Sequence, residues 1–172
     1  MKIIGIAGLA RSGKDTIAKH LARYGYHAMA FADPLRAILR DQLGVQDQYM
    51  DVAKEIPMRP HGASYRTLMQ TFGDAGRNIH GDFWIQLLER QLGEFADEHT
   101  SVVITDVRYS NEAQWVRQYG HLWHVRRSNQ LMLNEETHSS EWGIEPLTGE
   151  PIINNFGDIK HLLEQVDSLM HD

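Results

Sequence analysis

One stretch near the N-terminus constrains the fold of this chain more than any other. Residues 2–7 form an apolar run with three isoleucines, which is typical of a strand buried on both faces. The segment "GLARSGKDT" then places Gly8, Gly13 and Lys14 at the spacing of a phosphate-binding loop, and a helical pattern follows. A strand, a glycine loop and a helix in this order direct the positive end of the helix toward a bound phosphate.

The loop departs from its usual form after the lysine. A Ser or Thr normally follows, and its hydroxyl holds Mg²⁺; here Asp15 takes that position and Thr16 comes one residue late. Asp15 could accept a hydrogen bond from metal-bound water, pair with Arg11, or stabilise the first helical turn by about 0.3–1 kcal/mol. The alternative for the whole segment is a tight turn with a solvated lysine. We predict a nucleotide site formed by Gly8, Arg11, Ser12, Gly13, Lys14, Asp15 and Thr16.

The rest of the chain alternates between strand and helix patterns. The predicted strands are residues 27–32, 101–105, 121–127 and 151–155, and the predicted helices are residues 33–44, 64–76, 81–99, 110–119 and 157–170. Strands that alternate with helices imply a mostly parallel sheet with helices on both faces. The polar segments 45–63 and 128–149 are expected to be loop-rich. We therefore predict one α/β domain over residues 1–172.

Composition excludes several classes of function. The 172 residues contain no cysteine, which excludes a disulfide framework and a thiolate zinc site. A formal net charge of −6 argues against a nucleic acid polymer as a partner. No apolar run approaches the roughly 20 residues of a membrane span, and the N-terminus does not match a signal peptide. We expect a cytoplasmic protein with a small-molecule substrate and no membrane contact, and the sequence leaves a homodimer open.

Arginines in the middle of the chain suggest a second phosphate site. Phosphoryl transfer depends mainly on positioning and charge neutralisation. Arg66 and Gln70 are four residues apart on a predicted helix and therefore share one face. The arginine can bind a monophosphate bidentately while the glutamine contacts a base edge. The alternative is that both belong to a solvated helix surface.

Other candidates for this second site flank predicted helices. Asp33 follows the second predicted strand as the N-cap of a helix with Pro34 at its first position, and we expect it to contact the substrate as well. Arg36, one turn later, can reach an acceptor phosphate. Asp82 and Trp84 open a later helix and could flank a base, although core packing is the alternative for the tryptophan.

The segment "VVITDVR" resembles a Walker B strand, since an apolar run delivers Asp106 to the sheet edge, where it can hold Mg²⁺ or its water. Arg108 follows two residues later. Arg126 and Arg127 end a predicted strand before a loop-rich segment and suit a mobile lid that closes over the transferred phosphate. We expect the catalytic groups to be Lys14, Arg108, Arg126 and Arg127.

An ordered series of segments resembles the bacteriophage-type deoxynucleoside monophosphate kinases of the P-loop kinase superfamily. The matching segments are "GLARSGKDT", "FADPLR", "YRTLMQTFGDAGR" with "DFW", "VVITDVRYSNEA", "HSSEWGI" and "PIINNFGDIKHL". The resemblance implies a three-layer α/β P-loop NTPase fold with a mostly parallel five-stranded sheet. It also implies a helical monophosphate-binding region at about residues 33–80 and a lid at about 127–149. The implied reaction uses ATP and Mg²⁺ to phosphorylate a deoxynucleoside monophosphate, in deoxynucleotide biosynthesis and, for a phage-encoded protein, in the host cytoplasm.

The resemblance also assigns individual residues. The late Thr16 is similar to the threonine of nucleoside monophosphate kinase loops that end Gly-Lys-Gly-Thr, which contacts the α-phosphate. The resemblance implies that Asp106 binds Mg²⁺ and that Asp15 contacts Mg²⁺ through a water molecule. His138, Ser139 and Glu141 match the family pattern, and we expect them to make lid or nucleotide contacts. The substrate-binding residues are then Asp33, Arg36, Arg66, Gln70, Arg77, Asp82, Trp84 and Asp106.

Two other functions stay open at this point. A kinase similar to the dephospho-coenzyme A kinases phosphorylates a hydroxyl and needs a carboxylate base, for which Asp33 is the candidate. A monophosphate acceptor, whose second pKa is about 6, is already mostly dianionic and needs no base. A regulatory module that only binds a nucleoside triphosphate is the second alternative. A GTPase is disfavoured because the sequence has no Asn-Lys-x-Asp motif.

Overall fold

The computed structural model describes residues 1–45, 54–58, 62–95, 97, 99–127 and 143–171. The strands are β1 (Lys2–Ala7), β2 (Tyr26–Met29), β3 (Ser101–Val107), β4 (His121–Arg127) and β5 (Ile152–Asn155). The helices are α1 (Lys14–Leu21), α2 (Asp33–Leu43), α3 (Tyr65–Ile79), α4 (Phe83–Phe95), α5 (Ser110–Tyr119) and α6 (Ile159–His171). They fall into two compact units, unit 1 (Met1–Ala30 and Gly93–Asp172) and unit 2 (Phe31–Leu92).

The five strands form one sheet in unit 1, in the order β2-β3-β1-β4-β5. Every neighbouring pair is parallel, so the carboxyl ends of all five strands lie along one edge. β1 lies at the centre of the sheet, between β3 and β4. Strands β2 and β3 lie on one side of β1 and strands β4 and β5 on the other, so the strand order reverses direction at β1. Ligands of open α/β sheets bind at such a switch point, beyond the carboxyl ends of the strands. The predicted parallel α/β fold is confirmed.

Helices cover both faces of this sheet. On one face, Ile17 of α1 and Leu162 of α6 pack with Ile4 and other strand residues in a buried core. On the other face lies α5, because a Cβ built on Gly5 would be 2.6 Å from Val116 Cγ1. Burying apolar strand residues against two helical layers is the main stabilisation of such a sheet. Unit 1 is therefore a three-layer structure with the sheet in the middle.

Unit 2 is built on helices. Leu35, Leu39, Tyr65 and Trp84 form its buried core with Met58 and Val45. The N-terminus of α3 is capped by Ser64, whose Oγ accepts a hydrogen bond from the Thr67 N–H at 3.1 Å. Of the described helices, none is both long and apolar enough to cross a bilayer.

The structure corrects several sequence-based boundaries, among them those of α2, β2 and β3. Asp33 is not the N-cap of α2, because Ala32 takes that position and Asp33 is the first helical residue. β2 ends at Met29 instead of residue 32, where its pairing with Ile104 of β3 stops. β3 continues to Val107, which pairs with Ala7 of β1, so Asp106 lies inside the strand. Pairing with a neighbouring strand fixes these ends, and a single segment of sequence does not show it.

Candidate active site

The glycine loop between β1 and α1 is closed tightly around two of its glycines. A Cβ on Gly8 would lie 2.6 Å from the carbonyl oxygen of Val125, in β4. Gly13 has a φ of +112°, and a Cβ there would lie 2.7 Å from Asn155 Nδ2. Both positions therefore accept only glycine, because any side chain would collide or strain the backbone. The loop backbone leads directly into the N-terminus of α1, and helix N-termini attract anions.

Lys14 is the first residue of α1, and its side chain folds back over the loop. Its Nζ donates hydrogen bonds to the carbonyl oxygens of Gly8 at 2.7 Å and Leu9 at 2.8 Å. Burial is the main cause that lowers the pKa of Lys14 to about 8, and the positive charge of Arg108 lowers it further. The negative charges of Asp15 and Asp106 raise this pKa and offset part of the effect. The ammonium is thus held in a nearly dry site, where a phosphate would interact with it strongly.

The end of β3 brings two predicted residues to the same place. Asp106 is buried, with 8% of its surface exposed, while Arg108 is exposed. Both charges act on the pKa of Lys14, as expected for residues at the carboxyl end of the strand beside β1. The structure therefore groups Lys14, Asp106 and Arg108 around the loop.

The end of β4 supplies two exposed arginines with different surroundings. Arg127 donates a hydrogen bond from Nη1 to the carbonyl oxygen of Arg11 at 3.0 Å. Arg11 has a φ of +61°, a conformation that is uncommon for a residue with a side chain and is found often at functional sites. Arg126 precedes Arg127 in the strand and points to the opposite face. Of these two arginines, Arg127 is the one that contacts the loop through a hydrogen bond among the described residues.

The remaining loop residues take distinct positions. Ser12 is fully buried, and among the described residues its Oγ has no hydrogen-bond partner. Asp15 is exposed in the first turn of α1, where a carboxylate stabilises the helix dipole. Within the described ranges Asp15 and Arg11 form no ion pair, so that alternative is not supported. Thr16 is half-buried one residue later.

Sequence reasoning missed Asn155, the last residue of β5. Its Nδ2 donates a hydrogen bond to the carbonyl oxygen of Ser12 at 2.8 Å, although the two residues are far apart in sequence. The only local signal was its position at the end of a predicted strand, where the sheet edge binds ligands. The loop is therefore held by side chains from two strands, β4 and β5.

In unit 2, three predicted arginines each have a carboxylate partner. Arg36 Nη1 donates to Asp33 Oδ1 at 2.6 Å, and Arg77 Nη1 contacts Asp74 Oδ1 at 3.4 Å. Arg66 binds Glu55 through its Nε. Arg66 is more exposed than Arg77. Each of these guanidinium groups therefore binds a carboxylate of unit 2 in the structure.

Three other predicted residues of unit 2 differ in exposure. Gln70 is half-buried on α3, and Asp82 is exposed just before α4. Trp84 is only 5% exposed, and its Nε1 donates a hydrogen bond to the Gly73 carbonyl at 2.8 Å. Its indole packs in the core of unit 2, which was the alternative considered for this residue. His138, Ser139 and Glu141 lie outside the described residues, as does most of the predicted lid.

Comparison with known proteins decides the family. The family model described as deoxynucleotide monophosphate kinase matches residues 42–166. The chain belongs to the deoxynucleotide monophosphate kinase family. Members of this family are phosphotransferases, so the protein is a nucleotide kinase. The matched residues begin after the glycine loop, which makes the loop a separate observation in support of a kinase.

Two viral proteins are similar to this kinase. A putative deoxynucleotide monophosphate kinase of Acanthamoeba polyphaga mimivirus is 28% identical over 171 residues, covering 89% of this chain and 87% of that protein. The deoxynucleoside-5'-monophosphate kinase of Escherichia phage T5 is 32% identical over 113 residues, covering 60% of this chain and 44% of that protein.

Solved structures support the fold of the kinase. A protein from Thermus thermophilus superimposes with a TM-score of 0.54 at 17% identity, covering 99% of this chain and 96% of that one. A dephospho-CoA kinase from Campylobacter jejuni gives a TM-score of 0.55 at 9% identity, with coverage of 99% and 96%. At these identities the similarity concerns the fold alone, and it confirms the predicted P-loop kinase architecture.

The residues of the kinase fit a magnesium ion that is shared with substrate phosphates. Among the described residues no group of three or more His, Asp or Glu side chains could hold a metal alone. Mg²⁺ in kinases usually binds through one or two carboxylates, several waters and the phosphates themselves. The buried Asp106 beside Lys14 and the exposed Asp15 at the helix start provide such carboxylates.

Proposed function

We propose that this kinase transfers the γ-phosphate of ATP, in the presence of Mg²⁺, to a deoxynucleoside monophosphate and releases the diphosphate and ADP. The observation that carries the proposal is the grouping of Lys14, Asp106 and Arg108 at a glycine loop in a member of this family. The buried ammonium of Lys14 and the guanidinium of Arg108 suit the anionic oxygens of a triphosphate, and the carboxylate of Asp106 suits the Mg²⁺ that accompanies it.

Unit 1 carries the donor side of the proposal. The N-terminus of α1 and the loop backbone bind the phosphates of ATP. Lys14 exchanges its two carbonyl partners, Gly8 and Leu9, for phosphate oxygens and follows the transferred group. Arg108 and Arg127 neutralise charge that develops on the equatorial oxygens. Asp106, directly or through a bound water, would hold Mg²⁺, which would supply further neutralisation of the phosphate charge.

Unit 2 carries the acceptor side. Arg36, Arg66 and Arg77 already hold carboxylates, whose oxygens resemble those of a monophosphate. A phosphate monoester can therefore replace a carboxylate partner without leaving the guanidinium unpaired. Gln70 presents an amide, which can both donate to and accept from a base edge. We assign acceptor phosphate binding to these arginines and base contact to Gln70.

The acceptor chemistry requires no general base. The phosphate of a nucleoside monophosphate has a second pKa of about 6, so its oxygens are mostly deprotonated at neutral pH. One of these oxygens attacks the γ-phosphorus, the bond from that phosphorus to the β–γ bridging oxygen breaks, and ADP leaves. The protein contributes positioning and charge neutralisation, which are the main sources of catalysis in phosphoryl transfer.

An acceptor screen tests the proposal. The protein is mixed with ATP, Mg²⁺ and each of dAMP, dCMP, dGMP and dTMP, and ADP formation is measured. We expect ADP to form rapidly with at least one deoxynucleoside monophosphate, and the Lys14→Met variant to lose this activity. A rate of ADP formation that is the same with and without every acceptor would overturn the proposal.

The Asp33→Asn variant separates the proposed reaction from phosphorylation of a hydroxyl. A monophosphate kinase should retain most of its kcat, because no proton has to be removed from the acceptor. A hydroxyl kinase that uses Asp33 as its base should lose about 10²–10⁴-fold. Arg36→Ala serves as the matched control, since it removes the partner of Asp33 and should raise KM for the acceptor.

A further inference from the structure

The contact between β5 and the glycine loop extends the donor site beyond the motif residues. Asn155 Nδ2 donates to the Ser12 carbonyl at 2.8 Å. In the sheet register, Asn155 lies opposite Arg127, and Asn154 lies opposite Arg126. Paired residues of neighbouring strands share a face, so Asn155 and Arg127 both point toward the loop. The two side chains hold consecutive loop carbonyls, those of Ser12 and Arg11.

Holding a carbonyl also fixes the direction of the next amide. The peptide bond is planar and trans, so the Ser12 C=O and the Gly13 N–H point in opposite directions. A hydrogen bond from Asn155 that fixes the Ser12 carbonyl therefore turns the Gly13 N–H away from β5. Gly13 immediately precedes α1 and has a φ of +112°. Because glycine has no Cβ, it restricts the rotation of the Ser12–Gly13 peptide less than other residues do. A hydrogen bond to this peptide therefore has a large effect on its orientation.

The backbone of the residue before Asn155 is held in place by α6. Gln165 accepts a hydrogen bond from the Asn154 N–H at 2.9 Å and donates one to the Asn154 carbonyl at 2.9 Å. These bonds satisfy the outer edge of β5 just before Asn155. The Asn155 amide is half-buried and packs so close to Gly13 that it leaves no room for a side chain there.

We propose that Asn155 is a positioning residue for the donor nucleotide, fixing the Ser12–Gly13 peptide so that the Gly13 N–H faces the phosphates of ATP. The inference rests on the proposed function only for the identity of the donor. Asn155 acts through the loop backbone, and neighbouring Asn154 does not, because its side chain lies on the opposite face of β5.

The matched pair Asn155→Leu and Asn154→Leu tests this role. Leucine has the same branched shape as asparagine but neither donates nor accepts a hydrogen bond. Binding of Mg·ATP is measured by calorimetry without an acceptor, and KM is measured for both substrates. For Asn155→Leu we expect the Kd and KM for ATP to rise roughly fivefold to tenfold, as for loss of one hydrogen bond, with KM for the acceptor unchanged. For Asn154→Leu we expect all three values within about twofold of the wild type.

Several outcomes would overturn the inference. One is an Asn155→Leu variant whose Kd for Mg·ATP equals that of Asn154→Leu, and another is an equal rise in both KM values, which indicates a general structural effect. If Asn155→Leu does not fold, Asn155→Ala gives the same comparison with a smaller change in packing. Because binding is measured without an acceptor, failure of the wild type to phosphorylate any deoxynucleoside monophosphate would contradict the proposed function and leave this test intact.

Discussion

Arg127 Nη1 donates a hydrogen bond to the carbonyl oxygen of Arg11 at 3.0 Å, so the end of β4 is tied to the glycine loop. The preceding Arg126 has the same charge and exposure but points to the other face of the strand. The two arginines were predicted together as lid residues. The structure gives them different surroundings, and their roles can be separated by mutation.

We expect Arg127→Ala to weaken ATP binding at least about fivefold more than Arg126→Ala. The loss combines a hydrogen bond to the loop with a positive charge beside the phosphates. Equilibrium binding of Mg·ATP to both variants measures the difference, and Arg127→Lys, which keeps the charge and a donor, should fall between Arg127→Ala and the wild type. Equal weakening in the two alanine variants would show that the contact with Arg11 has no effect on binding.

Activity should depend on the protonation of Lys14, whose pKa is lowered from 10.5 to about 8. The value of kcat/KM for ATP reports the free enzyme, so we expect it to fall above about pH 8 as the ammonium loses its proton. The unfolded chain keeps this proton up to its higher pKa, so stability rises with pH between the two values. A fall in kcat/KM without a fall in melting temperature therefore identifies Lys14.

The control for this pH dependence is Lys14→Arg, whose side chain stays charged throughout the range. Its kcat/KM is expected to be lower but flat between about pH 7 and 9. A wild-type profile that is equally flat would contradict the assignment of the pKa to a lysine that must be charged to bind ATP.

Glu150 anchors the segment before β5. Its Oε1 accepts from Arg117 Nε at 2.6 Å, and its Oε2 lies 2.8 Å from His124 Nε2. The hydrogen bond from Arg117 is the main cause that lowers the pKa of Glu150 to about 2. The resulting stability is present above the ordinary pKa of 4.5 and is lost as the pH falls toward 2.

We therefore expect Glu150→Gln to reduce the free energy of unfolding by about 2 kcal/mol at pH 7, and the difference from the wild type to shrink below pH 4.5. Urea unfolding at several pH values measures this. Glu145→Gln is the matched control, because only the backbone carbonyl of Glu145 binds Arg117. A pH-independent difference between Glu150→Gln and the wild type would contradict the ion pair as its cause.

Two helical glycines should respond oppositely to alanine. A Cβ on Gly76 would lie 2.7 Å from the ring of Trp84, whereas a Cβ on Gly93 meets nothing within 4 Å. We expect Gly76→Ala to cost about 1–3 kcal/mol through overpacking. Gly93→Ala should stabilise α4 by up to about 1 kcal/mol through helix propensity. Denaturant unfolding measures both, and a neutral Gly76→Ala would contradict the placement of Trp84 in the core.

Local patterns predicted the elements and the loop because each depends on neighbouring residues. The periodicity of 64–76 indicated α3, which the structure extends to Ile79, and the Gly-Lys spacing indicated the loop. Asp33 was predicted as the N-cap of α2, but Ala32 occupies that position without a side-chain hydrogen bond. The Asp33 carboxylate binds Arg36 instead. Such a competition between two partners for one side chain cannot be read from residue type.

Contacts between distant segments were beyond local patterns. Asn155 reaches Ser12 only because β5 pairs with β4 in a register that places it opposite Arg127. A strand of four residues does not specify its neighbour or its register. The burial of Trp84 could not be predicted locally for a similar reason. Its indole N–H donates to the Gly73 carbonyl, which lies on another helix.

The central claim is that the acceptor atom is a phosphate oxygen of a deoxynucleoside monophosphate. The most direct measurement is ³¹P NMR of the products after incubation with ATP, Mg²⁺ and the monophosphate that turns over fastest in the screen. We expect two sets of mutually coupled doublets in equal amounts, one from ADP and one from the α- and β-phosphates of a deoxynucleoside diphosphate, with a matching loss of the monophosphate signal. ADP accompanied by two uncoupled monoester signals, from a 3′,5′-bisphosphate, or ADP accompanied only by inorganic phosphate with the monophosphate unchanged would contradict it.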